Sequence, residues 1–186
     1  MSGLKPFRQI PRDLVEWTRW MRGQEIPDGD NYALVDHTHT AADSDYTFTA
    51  PTSLTKDSSG TGTGSITDIQ TLNDGNEYNL AENTGGAPNL RLRLNFTGIA
   101  TIRGLVVKAY YVGTHDVNLE LYNYSTAGYD LFTNMVDSNY YNYRTILIPD
   151  GSNYTDGTNA VMRFEHPATP GLGTHDLYVE YAALLG

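Results

Sequence analysis

"NLRLRLNF" (Asn89–Phe96) places Leu90, Leu92, Leu94 and Phe96 on one side and Arg91, Arg93 and Asn95 on the other. Extended backbone sends successive side chains to opposite faces, so this period of two predicts a strand with one face in a core and one in water. The pattern recurs in "DVNLELY" (116–122), through Val117, Leu119 and Leu121, and in "DLYVEYA" (176–182), through Leu177, Val179 and Tyr181. Six more stretches read as strands: "SITDIQTL" (65–72), "EYNLAE" (77–82), "RGLVVKAYYV" (103–112), "YDLFTNM" (129–135), "YRTILIPD" (143–150) and "AVMRFEH" (160–166). Turn formers separate them in "NDGN", "TGGAP", "STAG", "PDGSNYTDG" and "PATPGLG";. About nine short antiparallel strands with no helix between them predict an all-β fold, a jelly-roll-like antiparallel β-sandwich over residues 65–186.

The N-terminal quarter has a different character. In "QIPRDLVEWTRWMRGQ" (9–24), Ile10, Leu14, Trp17 and Met21 recur at helical spacing, Pro11 suits a first turn and Gly23 suits a C-terminal cap;. This predicts a short amphipathic helix within segment 1–26. With Trp20 beside Trp17, it carries both tryptophans of the chain. So large an apolar face needs a cover, either the chain's own domain or another protein. The polar stretch that follows favours docking to another protein through Ile10, Leu14, Trp17, Trp20 and Met21. Residues 27–64, rich in Asp, Thr, Ser and Gly and ending in "KDSSGTGTGS", read as an extended linker. Those glycines lack the GK[ST] signature and the flanking strand and helix of a phosphate loop.

Charge and composition exclude several function classes. The net charge of −10 argues against a nucleic-acid partner, which needs clustered Lys and Arg;. It is uneven: residues 1–25 hold five basic and three acidic side chains, and the remainder carries −12;. Zero cysteines remove thiol nucleophiles and Cys-ligated metals;. No apolar run has the length of a membrane span or a signal-peptide core, so neither membrane insertion nor Sec export is expected.

Candidate chemistry is sparse. Serines fall in turns and linkers, and the acidic residues fall on outward faces or in turns, so no catalytic constellation is expected. His166 follows Met162 and Phe164 on the inner face, which predicts a hydrogen-bonded structural histidine. In "LNDGNEYNLAEN" the oxygens of Asp74, Asn76, Glu77 and Glu82 could serve a calcium ion, although the turn alone explains them. Fourteen tyrosines, many in "YNYSTAGY" (122–129) and "NYYNYR" (139–144), suggest stacking on sugar rings, with Tyr140, Tyr141 and Tyr143 as glycan-binding candidates;. His37 and His39 in "VDHTHT" project to one side of an extended chain. One chain supplies too few ligands, but three chains about a threefold axis would supply six imidazoles for a divalent transition metal. The alternative is a solvated pair in a linker.

"PFRQIPRDLVEWTRWM" resembles the N-terminal segments of tailed-bacteriophage virion proteins, and "DHTHT" resembles the His-x-His motifs of trimeric phage tail fibres, which ligate iron on the fibre axis. The stretch from "TLNDGNEYNLAE" to "FEHPATPGLGTHDLYVEYAAL" resembles carbohydrate-binding-module-like, galactose-binding-like sandwiches appended to phage tail and head proteins. The resemblance implies a non-enzymatic virion structural protein, as a tail fibre or appendage, or a head fibre or decoration protein. It implies a trimer whose N-terminus docks on other virion proteins and whose sandwich meets host-surface glycan. The long repeated shaft of tail fibres is missing. The alternative is a free-standing carbohydrate-binding module.

Overall fold

The computed structural model describes residues 47–57, 60–82, 88–113, 116–135, 141–166 and 176–186. The strands are β1 (Phe48–Thr49), β2 (Ser53–Lys56), β3 (Thr61–Thr63), β4 (Tyr78–Ala81), β5 (Leu90–Thr97), β6 (Gly104–Val112), β7 (Val117–Asn123), β8 (Gly128–Met135), β9 (Asn142–Leu147), β10 (Asn159–His166) and β11 (Asp176–Leu185). They form two antiparallel sheets. Sheet A runs β3-β4-β11-β6-β9, with β1 also pairing β11, and sheet B runs β2-β5-β10-β7-β8. Counting β4 to β11 as one to eight gives the orders 1-8-3-6 and 2-7-4-5, the jelly-roll connectivity expected from the sequence.

Burial follows the alternation that predicted it. Leu90, Leu92, Leu94 and Phe96 are fully buried, and their neighbours Leu119, Leu121, Met162 and Phe164 complete the inner face of sheet B. Sheet A answers with Leu80, Leu105, Val107, Ala109, Tyr111, Leu177 and Val179. Face-to-face burial of two such surfaces is the main term favouring this fold. At one end of the core His166 is buried, its Nδ1 2.6 Å from Glu82 Oε1, which matches the expected structural histidine. The pairing removes the cost of burying either group alone.

Three readings are corrected. "SITDIQTL" was expected as a strand, but Ile66–Ile69 form a 3-10 turn. Asp68 Oδ2 accepts from the Ser65 backbone N-H at 2.6 Å and from Ser65 Oγ at 3.1 Å, a local network that fixes a turn rather than a sheet edge;. The expected linker 27–64 contributes three strands: β1 pairs β11, β2 pairs β5 and β3 pairs β4. Thr, Ser and Gly gain their order there from the neighbour's backbone, which a polar sequence does not advertise. A compact unit accordingly begins at Tyr46, ahead of the expected boundary. Finally, β11 does not keep one phase. Its register against β6 shifts between Val179 and Tyr181, a β-bulge that leaves Tyr181 outside the core and turns Ala182 and Leu184 inward;.

The connection before β10 is equally tight. A Cβ on Gly151 would stand 1.9 Å from the Ile102 carbonyl oxygen, so only glycine fits;. Replacing the fully buried ring in Phe164→Ala is expected to cost about 3–5 kcal/mol of folding stability, read from the denaturant midpoint. A variant as stable as the parent would mean that the two sheets do not pack through this ring.

Candidate functional site

The outer face of sheet A gathers tyrosines from three elements. Lys108 and Tyr110 alternate with the buried residues of β6, and Tyr178 does so on β11. Register sets Tyr178 beside Tyr110 and Tyr143 beside Lys108. Tyr110 and Tyr178 stack with centroids 4.3 Å apart and planes at 5°, whereas Tyr141 meets Tyr110 edge-on at 4.7 Å and 89°. Tyr143 keeps 52% of its surface exposed, leaving a ring face open to a partner.

The turn between β3 and β4 locks this face. Asn73 has φ 62°, a left-handed conformation that asparagine tolerates better than most residues;. Its Oδ1 accepts from Lys108 Nζ at 2.8 Å and from Tyr143 Oη at 3.0 Å. Its backbone N-H donates to Glu180 Oε1 at 2.8 Å. Glu180 is the bulge residue, aimed outward, and its other oxygen is ion-paired with Lys108. Lys108 Nζ also lies 5.0 Å from the Tyr141 ring centre and 5.4 Å from that of Tyr143. Tyr141 Oη donates to Glu77 Oε2.

Electrostatics follow from this crowding. Desolvation, then the neighbouring Glu77, pushes the Tyr110 phenol from 10.0 up to about 12. Desolvation, then Asp176, raises Tyr178. Glu77 is raised by burial and then by Glu180, and the hydrogen bond to Glu180 holds the Lys108 ammonium above its ordinary range. The face therefore presents neutral phenols, an amide and an excess of carboxylate over ammonium.

Of the glycan candidates, Tyr141 and Tyr143 meet here, joined by Tyr110 and Tyr178, which the sequence reading left among ordinary strand residues. Their signal was position, since both alternate with core residues. Tyr140 lies outside the described residues, as do His37, His39, Ile10, Leu14, Trp17, Trp20 and Met21. The "YNYSTAGY" tyrosines go elsewhere. Tyr122 meets Tyr124 at 4.9 Å and Tyr129 at 5.1 Å, and the Arg163 guanidinium covers the Tyr129 ring at 3.6 Å. That ring belongs to a charged ladder on sheet B, where Arg163 pairs with Glu120 and Glu165, Arg91 with Glu165, and Arg93 with Asp57.

The calcium set is not assembled. Asp74 Oδ1 accepts from the Asn76 N-H at 2.9 Å, Glu77 takes Tyr141, and Glu82 is buried against His166. No group of three or more His, Cys, Asp or Glu side chains placed to hold a metal ion occurs among the described residues.

No protein-family model and no curated protein matches this sequence. Among solved structures it is similar to a carbohydrate-binding module of family 29, CBM29-2, in complex with mannohexaose. That match has 13% identity and a TM-score of 0.44 over 75% of this chain and 90% of that one. A cellulohexaose complex of CBM29-2 gives 13% identity and 0.44 over 75% and 89%, and a structure described as a family 29 carbohydrate-binding module gives 12% and 0.43 over 75% and 88%.

Raised phenol pKa values make a prediction for alkaline solution. The folded state holds protons that the unfolded state releases near 10.0, so this contribution is complete below that pH and is lost as pH rises through the folded value. Folding stability is expected to fall between pH 10.0 and about 12. The fall should be shallower in Tyr110→Phe, as followed by denaturant titration at each pH; identical slopes would remove Tyr110 from the account.

Proposed function

We propose that this protein binds carbohydrate without turning it over, through the tyrosine face of sheet A, and that its N-terminal segment attaches it to a bacteriophage particle. The observation that carries the binding reading is Tyr143, an exposed ring held in place by Asn73 and flanked by Tyr141. A ring ordered before binding loses little rotamer freedom when a sugar stacks on it. Around it the Tyr110 and Tyr178 hydroxyls and Asn79, which stands opposite Tyr178 in the pairing of β4 with β11, offer donors and acceptors to sugar hydroxyls. Among the described residues of this face the carboxylates Glu77, Glu180 and Asp176 outnumber the Lys108 ammonium, so the electrostatics favour an uncharged sugar chain over an acidic one. Glu77 and Glu180 are already engaged, by Tyr141 and by Lys108 with Asn73, which supports binding rather than glycoside cleavage.

The virion reading is supported by the resemblance of "PFRQIPRDLVEWTRWM" (6–21) and "DHTHT" (36–40) to phage virion proteins and by the contrast between the basic residues 1–25 and the acidic remainder of the chain. In it the helix face Ile10, Leu14, Trp17, Trp20 and Met21 docks on other virion proteins, and a trimer of sandwiches meets host-surface glycan. Each weak contact would then gain from effective concentration. The His37 and His39 pair would hold a divalent metal only across subunits.

Two experiments test these readings. On an array of neutral and acidic oligosaccharides, Tyr143→Ala and Tyr141→Ala are expected to weaken binding by about 10-fold or more each, the loss of roughly 1.4 kcal/mol or more. Tyr129→Ala, on the other sheet, should leave binding unchanged. Equal binding in all three variants, or selective capture of acidic glycans, overturns the site. Deleting residues 1–26 is expected to abolish incorporation into particles while the remaining chain stays soluble and keeps its glycan binding. Normal incorporation would instead favour a free-standing carbohydrate-binding module.

A further inference from the structure

The cluster of Lys108, Asn73, Glu180 and Tyr143 contains every part of an amide exchange. A primary amine is the nucleophile, a carboxamide is the electrophile, a carboxylate touches the amine, and a phenol donates to the amide oxygen. Lys108 Nζ stands 2.8 Å from Asn73 Oδ1. The carbonyl bond is about 1.23 Å long, so Nζ lies within about 4 Å of Cγ, and a small rotation of the lysine tail brings it to attack distance. The Lys108 and Glu180 side chains are 13% and 5% exposed, with the Tyr141 and Tyr143 rings beside them. Glu180 bridges both reactants, since one oxygen holds the ammonium and the other holds the Asn73 N-H. Tyr143 Oη, at 3.0 Å from Oδ1, is placed to stabilise charge that develops on that oxygen;.

We propose that Lys108 and Asn73 join through their side chains in an autocatalytic isopeptide bond, with Glu180 as the proton shuttle and Tyr143 as the oxyanion donor. Lys108 gives a proton to Glu180, and the neutral Nζ attacks Cγ, forming the Nζ–Cγ bond as the carbonyl electron pair moves onto Oδ1. When the tetrahedral carbon collapses, the Cγ–Nδ2 bond breaks. Glu180 passes one proton from Nζ to Nδ2, which leaves as ammonia, and then passes a second, converting the ammonia to ammonium, so Glu180 ends as the carboxylate it began as. No oxidant, metal or cofactor enters the balance. The resting ion pair keeps its proton on Lys108, so the reactive form is the minor one and the bond forms slowly, once per molecule. It would fasten the turn bearing Asn73 to β6 in the middle of sheet A.

Intact-mass measurement of the full chain tests this, during incubation at pH 7 and at about pH 9, where more of the lysine is neutral. The expected result is a species lighter by one ammonia that accumulates faster at the higher pH. Proteolysis should then release one fragment joining the peptides that bear Asn73 and Lys108. Lys108→Arg, which keeps a cation opposite Glu180 and so preserves the fold, should hold its full sequence mass, as should Glu180→Gln. A parent protein that stays at full mass after prolonged incubation at both pH values overturns the proposal. So does an ammonia loss that persists in Lys108→Arg, since Asn73 would then be cyclising on its own backbone.

Discussion

The bulge at Glu180 sets the character of the molecule. β11 lies between β6 on one side and β4 with β1 on the other, so every pair in the middle of sheet A is referred to it. A strand of strict alternation would have carried Tyr181 into the core and left Ala182 and Leu184 outside. One extra residue reverses this. The same residue is buried and faces outward, where a carboxylate without a partner would be costly. Lys108 and the Asn73 N-H satisfy it, and both in turn orient Tyr143. Core phase and surface site thus share one backbone irregularity.

The two outer faces answer the same problem differently. On sheet B charged rows of opposite sign lie side by side: Arg91, Arg93 and Arg163 find Glu165, Asp57 and Glu120, and even Tyr129 is capped by a guanidinium. Such a face is closed on itself, because a ligand would have to displace ion pairs before gaining contacts. On sheet A, Lys108 and Glu180 are the paired charges of the central strands, and tyrosines occupy the positions around them. Aromatic rings with one side uncovered leave interaction energy unspent. Fourteen tyrosines alone could not separate these cases; what each ring is packed against does.

The sandwich was legible wherever one strand face is apolar and the other polar. β5, β7 and β10 alternate without interruption, and the jelly-roll order follows from eight such strands and their turns. Legibility failed where local hydrogen bonding or a neighbour's backbone decides the structure. Ser65 and Asp68 turn an apparently alternating segment into a 3-10 turn. β1, β2 and β3 are too short and too polar to show a pattern, and they exist because β11, β5 and β4 offer free backbone groups. The site was half visible. Tyr141 and Tyr143 stood out by crowding in one motif, but their partners Tyr110 and Tyr178 come from strands 31 residues or more away, joined by register. Asn73 looked like a turn residue, and it is one; its role on the face depends on where the turn lands.

A display surface works best if its contact groups do not have to be ordered at the moment of contact. The Tyr143 ring is fixed by a hydrogen bond to a turn, the turn by the bulge carboxylate, and the bulge by the pairing of β11 with β6. Each link is short, and the two long side chains among them, Glu180 and Lys108, are tied to each other and to Asn73. The ordering entropy is therefore spent during folding, where sheet packing offsets it, rather than during binding. For the site proposed on sheet A, that saving would favour binding through few contacts. A strand, rather than a loop, carries the exposed Tyr143 ring.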